Sequence, residues 1–184
     1  MSIFAIITDL HLLQPPEWYA EFTERFLSRP KPHVTLIQPR IMDEMEAFAL
    51  YRKLSADLVS MQDMLPIRTR AQGHIPFFER TGCMIQVEDQ RLRALQSFLH
   101  LRMPTTCSWY FPPAQQYEEQ FVPHLTLADQ IPAADFDRVC AQYDLAHLSL
   151  DVEVRCVLAT LPPDFSEEES KKESNYHLMV GEKS

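Results

Sequence analysis

A pentapeptide that occurs twice constrains this chain more than any other feature. Pro32-His33-Val34-Thr35-Leu36 and Pro123-His124-Leu125-Thr126-Leu127 both read P-H-[V/L]-T-L. Their histidines lie 124 − 33 = 91 positions apart, half the length of a 184-residue chain. With 14 Pro, 7 His, 9 Thr and 21 Leu, chance starts such a motif at a given position about 2 × 10⁻⁵ of the time, so a second copy is no accident. A half-chain spacing is what an internal duplication leaves behind. It predicts one domain over residues 1–184, made of two intertwined lobes that each supply one H-x-T motif.

Side chains on a strand alternate between its two faces. His33 and Thr35 therefore share one face, and Val34 and Leu36 the other; His124 and Thr126 are set against Leu125 and Leu127 in the same way. Each strand can anchor itself in a core by its aliphatic face and offer an imidazole and a hydroxyl opposite. Two lobes packed pseudo-symmetrically would set the two pairs across a cleft.

Two imidazoles with ordinary pKa values near 6.5 can divide the work of general base and general acid at neutral pH. Two threonine hydroxyls can hydrogen-bond non-bridging phosphate oxygens. Such a set suits displacement at phosphorus: one histidine takes a proton from the nucleophile and the other gives one to the leaving oxygen. A metal cage is the weaker reading, since neither motif contains a carboxylate, HExxH is absent, and two neutral histidines hold zinc poorly.

The rest of the chain alternates strand and helix patterns. Ile3–Leu10 is an apolar strand ended by Pro15-Pro16. Trp18, Phe22 and Phe26 recur at helical spacing over Trp18–Leu27. His33–Ile37 is a short strand closed by Pro39. Asp43–Met61 reads as the longest helix, with Asp43 as N-cap and Glu46 three residues on. Ile67–Glu79 and Cys83–Val87 form a hairpin around Arg80-Thr81-Gly82, and Gln90–Leu101 is helical again. Met103–Gln120 has no regular period. Phe121–Ala128 is a strand, Ala133–Tyr143 a helix, and Leu148–Leu161 and Tyr176–Val180 are strands. Between these two, Asp164–Asn175 reads as a polar linking loop. Neighbouring strands look like hairpins, so the class is α+β with mostly antiparallel sheets.

Composition narrows the partners. Three glycines leave no Gly-rich phosphate loop, so side chains or helix ends must hold any phosphate. A net charge of −9 disfavours long duplex nucleic acid but not a nucleotide in a locally positive cleft. Cys83, Cys107, Cys140 and Cys156 are too widely spaced for a zinc ribbon or thioredoxin motif and fit the reduced thiols of a cytoplasmic protein. The N-terminal apolar run lacks a basic flank and meets Asp9, so it reads as a strand rather than a signal peptide, and no run is long enough to span a membrane.

On HVTL at His33–Leu36 and HLTL at His124–Leu127, with their preceding prolines and the order of elements, the chain resembles the 2H phosphoesterase superfamily. That group includes the LigT-like 2′-5′ RNA ligases and cyclic phosphodiesterases. The resemblance implies a bilobal α+β fold with a cleft between antiparallel sheets, His33 and His124 as the acid–base pair, Thr35 and Thr126 as phosphate ligands, and no cofactor or metal. It implies a phosphodiesterase acting on 2′,3′-cyclic phosphates or 2′-5′ phosphodiesters of nucleotides or short RNA ends. The rivals are a nucleotide or RNA-end binding module without turnover, and end joining by the reverse reaction. Many members carry basic residues beside the second motif. Here the flanks read Tyr117-Glu118-Glu119-Gln120 and Ala128-Asp129-Gln130, which favours a mono- or dinucleotide over a long RNA, handled by a monomer.

Outside the motifs, Phe77, Phe78 and the run Trp109-Tyr110-Phe111 could stack on a base, though core packing is the expectation for them. Arg40, Arg68, Arg70 and Arg80 could meet phosphate but are expected to be surface charges. His11, His74, His100, His147 and His177 lack the motif context.

Overall fold

The computed structural model describes residues 1–28, 31–77, 79–160 and 176–182. The stretch Asp164–Asn175, expected as a loop, lies outside these residues.

The first strand, β1 (Ser2–Leu12), buries Phe4 to Leu10 without interruption, as a strand covered on both faces does. It is followed by α1 (Tyr19–Phe26), β2 (Thr35–Met42) and α2 (Glu44–Leu58), then by β3 (Ile67–Phe77), β4 (Gly82–Val87) and α3 (Gln90–His100). The rest comprises β5 (Ser108–Trp109), α4 (Ala114–Glu119), β6 (His124–Ala128), α5 (Phe136–Gln142), β7 (Ser149–Thr160) and β8 (Tyr176–Gly181). Asp43 caps α2 as expected, accepting from the amides of Met45 and Glu46, and Asp89 caps α3 through the amide of Arg91. A 3₁₀ segment, Val59–Met64, carries the chain on from α2.

The eight strands of the described residues join one antiparallel sheet in the order β5-β2-β1-β7-β3-β4-β6, with β8 also on β7. β7 is the seam. Its first half, Ser149–Val154, pairs with β3, and its second half, from Cys156, pairs with β8, while β1 runs along its other edge. Two wings diverge from this seam, one ending in β2 with the small strand β5 and the other in β6. The wings are α+β and antiparallel, as the patterning predicts. The ladders of β7 with β1 and with β3 connect them.

α1 packs near β6, α2 on β8 and β1, and α3 on β2. Most of the core is one large cluster that contains Val34, Leu36, Leu125 and Leu127, and a small second cluster joins Ile7, Cys156 and Leu158.

Some boundaries differ from the sequence reading. β2 runs through Pro39 to Met42, because the register slips between Phe4 and Ile6 and the extra residue absorbs a proline that cannot donate to the ladder. The hairpin turns on Glu79 and Arg80, both at positive φ (51° and 67°), and Gly82 already belongs to β4. A Cβ on Gly82 would fall 2.9 Å from both the Phe77 ring and the carbonyl of Ala128, so glycine is there for close approach. The stretch Met103–Gln120 contains β5 and α4. All four cysteines are free thiols, with Cys83 and Cys156 buried.

Candidate active site

Each motif is laid onto its neighbour in the same way. The carbonyl of Pro32 accepts from Leu10 N–H on β1, and that of Pro123 accepts from Val87 N–H on β4. Thr8 N–H then donates to the Val34 carbonyl and Val34 N–H to the Thr8 hydroxyl, and His124 and Thr126 register against Gln86 and Met84. The alternation is the one read from sequence. Val34, Leu36, Leu125 and Leu127 are buried, and His33, Thr35, His124 and Thr126 keep partial exposure on the opposite face.

These four residues all line one cleft of about 510 Å³, a volume within the range of small-molecule sites. Each imidazole is held from behind by the carbonyl two residues upstream. Nδ1 of His33 lies 3.0 Å from the Lys31 carbonyl, and Nδ1 of His124 lies 2.8 Å from the Val122 carbonyl. A carbonyl only accepts, so each neutral ring carries its proton on Nδ1 and keeps the lone pair on Nε2. The intervening proline restricts its own φ and its predecessor's conformation, which sets that carbonyl in place. Burial lowers the His124 pKa below its ordinary value of 6.5, outweighing the opposing effect of the bond to Val122. At neutral pH His124 is therefore a neutral base.

The cleft is walled by Phe77, Phe111, Tyr117 and Phe121, with the amides of Gln38 and Gln120 among them. Phe77 and Phe111 were expected in the core. They are half-buried and face the cleft instead, because the Gly82 approach seats Phe77 beside β6 and the turn after β5 brings Phe111 round. Phe78 lies outside the described residues. Trp109 packs on the Arg40 guanidinium at 4.3 Å, and Tyr110 is exposed.

Arg40 is a correction of another kind. It was expected on the surface, yet it is buried, and its Nη2 meets Oε1 of the fully buried Glu118 at 2.5 Å. The same carboxylate accepts from Gln38 N–H (3.0 Å) and His100 Nδ1 (2.7 Å), tying α4, which carries Tyr117, to β2, which carries Thr35. Arg68, Arg70 and Arg80 are exposed and paired with Glu153, Asp151 and Asp137. Of the other histidines, His11 pairs with Asp9 and His147 with Asp144, His74 contacts Cys140, and His177 contacts the Tyr51 ring.

Cleft residues to which the sequence assigned no role include Lys31, Gln38, Phe121 and the Ser28–Asp129 pair, in which Asp129 accepts from Ser28 N–H at 2.8 Å and from its hydroxyl. Lys31 alone carried a legible signal, its position two before a motif histidine. Among the described residues, no three His, Cys, Asp or Glu side chains converge as a metal-ligand set, and no helix is long and apolar enough to cross a membrane.

The arrangement brings two groups that can exchange protons and two hydroxyls that can hydrogen-bond an anion into one cleft. Comparison with known proteins agrees with the fold. A family model described as the 2′-5′ RNA ligase superfamily matches residues 7–160. The solved structure of Kluyveromyces marxianus Usb1 is similar with a TM-score of 0.53 at 10% identity, covering 88% of this chain and 95% of that one. The same protein with uridine monophosphate gives a TM-score of 0.51 at the same identity and coverage. No curated protein matches the chain significantly.

Proposed function

From membership of the 2′-5′ RNA ligase superfamily, to which this chain belongs, we propose that it is a phosphodiesterase that opens 2′,3′-cyclic phosphates or cuts 2′-5′ phosphodiesters of nucleotides and short RNA ends. The observation that carries this reading is the matched pair of imidazoles on one cleft, each held through Nδ1 by a backbone carbonyl, which assigns proton exchange to Nε2. His124, kept neutral by burial, takes the proton from the attacking water. His33, protonated, gives one to the 2′ or 3′ oxygen as its bond to phosphorus breaks. Thr35 and Thr126 donate to the non-bridging oxygens. Water adds across one P–O bond, and the two histidines end with their protonation states exchanged.

The walls favour a nucleotide. Phe77, Phe111, Tyr117 and Phe121 offer ring faces for a base, and Gln38 and Gln120 offer donors and acceptors for its edge. The uridine monophosphate bound by Usb1 is of the size this cleft accommodates. A net charge of −9 argues against long polyanions as substrates.

The test is hydrolysis of a panel of 2′,3′-cyclic nucleotides and 2′-5′ dinucleotides in EDTA. Wild type turns over at least one member. His33→Ala and His124→Ala each lose about 10²–10⁴-fold in kcat, the worth of a positioned acid or base. Turnover that survives both substitutions, or that EDTA abolishes, refutes the two-histidine mechanism. Ligand binding without turnover in the wild type reassigns the chain as a binding module.

A further inference from the structure

The two copies of the motif differ at a position that matters electrostatically. The residue two before the histidine is Lys31 in the first copy and Val122 in the second. Both supply the carbonyl that holds their histidine. Lys31 adds a positive charge, and it lines the cleft.

That ammonium is held. Nζ lies 3.2 Å from Oδ1 of Asp9, a buried carboxylate on β1 whose Oδ2 accepts from His11 Nε2 at 3.2 Å. β1 is the strand onto which Pro32 and Val34 are bonded, so the carboxylate and the motif share one rigid frame. An ammonium has three N–H donors. Asp9 takes one, and with 57% of the Lys31 side chain exposed the others remain available to a ligand. Among the described lining residues Lys31 is the one Lys or Arg. Asp129 is the one acid, and its carboxylate is engaged by Ser28.

The place where charge develops favours such a group. A phosphodiester brings one negative charge, and attack by a deprotonated nucleophile puts a second on the equatorial oxygens at the five-coordinate stage. The two histidines, both protonated at that stage, serve the attacking and leaving oxygens, so a third cation is best placed on the non-bridging oxygens. We propose that Lys31 is a further catalytic residue, whose ammonium, oriented by Asp9, binds the non-bridging oxygens of the phosphate on the His33 side and stabilises the charge that develops there. Asp9 is its positioning residue. The proposal deepens the phosphodiesterase reading and rests on it for the kinetic consequence, while phosphate binding by Lys31 stands apart from turnover.

The experiment therefore has two arms. In the first, calorimetry compares uridine with uridine 2′- and 3′-monophosphate on wild type, Lys31→Met and Lys31→Arg. Lys31→Met weakens the monophosphates about tenfold or more, as loss of a charge-assisted hydrogen bond does. Uridine is unchanged and Lys31→Arg restores affinity. Monophosphate binding unaffected by Lys31→Met, lost equally for uridine, or absent from wild type overturns the assignment.

In the second arm, Lys31→Met lowers kcat on the preferred cyclic or 2′-5′ substrate about 10- to 100-fold. That is below the effect of a fully enclosed oxyanion donor, because the ammonium is partly solvated. Asp9→Asn costs less, and Asp9→Asn combined with Lys31→Met costs no more than Lys31→Met alone, because Asp9 acts through Lys31. Additive losses overturn the positioning role. Turnover that depends on the histidines but not on Lys31 refutes this proposal alone. Lys31-dependent phosphate binding without wild-type turnover refutes the phosphodiesterase reading and leaves the phosphate site standing.

Discussion

Replacing Arg40 by Met tests the buried frame behind the cleft. Glu118 is fully buried, and its charge is balanced by Arg40 at 2.5 Å. Removing the guanidinium leaves the buried carboxylate without its arginine, held by the Gln38 N–H and by the partly exposed His100 imidazole. Breaking a buried pair from one side costs about 3–5 kcal/mol. For a chain of this length each kcal/mol moves Tm by about 2–4 °C, so Arg40→Met lowers Tm by about 6–20 °C. The double variant Arg40→Met/Glu118→Gln separates the charge effect from lost packing. A neutral amide needs no counterion, and its oxygen still accepts the Gln38 N–H that Glu118 now holds at 3.0 Å. About half or more of the lost stability returns. The assay is urea unfolding followed by tryptophan fluorescence, because Trp109 lies on the Arg40 guanidinium and senses its removal. A loss under about 1 kcal/mol in the single variant, or a double variant no more stable than the single, refutes the claim that Arg40 is there to balance a buried charge.

Stability should depend on pH through His124 and His74, whose pKa values burial lowers from 6.5. The unfolded chain then binds protons more readily, so stability is constant above about pH 6.5 and falls as pH drops through that value toward the folded-state pKa values. His147 carries the opposite sign but is exposed and paired only with Asp144, so its contribution is small. Thermal melts from pH 7.5 to 5.5 should show a smaller loss for His124→Asn than for wild type, and parallel curves would refute it. The acid limb of kcat/KM, set by protonation of the same His124, should fall below pH 6.5; a limb above that value contradicts its role as base. At the start of α3, Asp89→Ala removes the N-cap bond to Arg91 N–H (2.8 Å) and should cost about 1 kcal/mol in urea unfolding. No change would mean that the helix end is satisfied otherwise.

Much of the candidate site was legible because it is local. The H-x-T pattern needs only the two-residue period of a strand, and that period put His33 with Thr35 and His124 with Thr126 before any contact was known. The cap of α2 and the longer helices were read on the same basis, since Asp43 and the residues it caps are neighbours in the chain. Pro39 misled because a proline normally ends a strand, and only the slipped register with β1 lets β2 continue through it. Glu79 and Arg80 take left-handed conformations that glycine favours, so the turn was read one step too late.

Other residues were illegible because their partners are distant in sequence. Arg40 looks like any surface arginine until Glu118, 78 residues away, is folded against it. Phe77, Phe111 and Phe121 have the composition of core residues. Which of them face a cleft depends on how the two wings diverge from β7. Lys31 and Asp9, 22 positions apart, become a pair only when β1 receives the first motif.

The sequence by itself determined the α+β class, the duplicated motif, and which side chains each motif strand exposes, because periodicity and propensity act between near neighbours. The tertiary structure alone decided that both motifs share one cleft, which aromatic rings wall it, and where a lysine and a buried carboxylate stand beside it. Those are long-range choices, made when strands far apart in the chain bury their apolar faces together and every buried charge must find its partner.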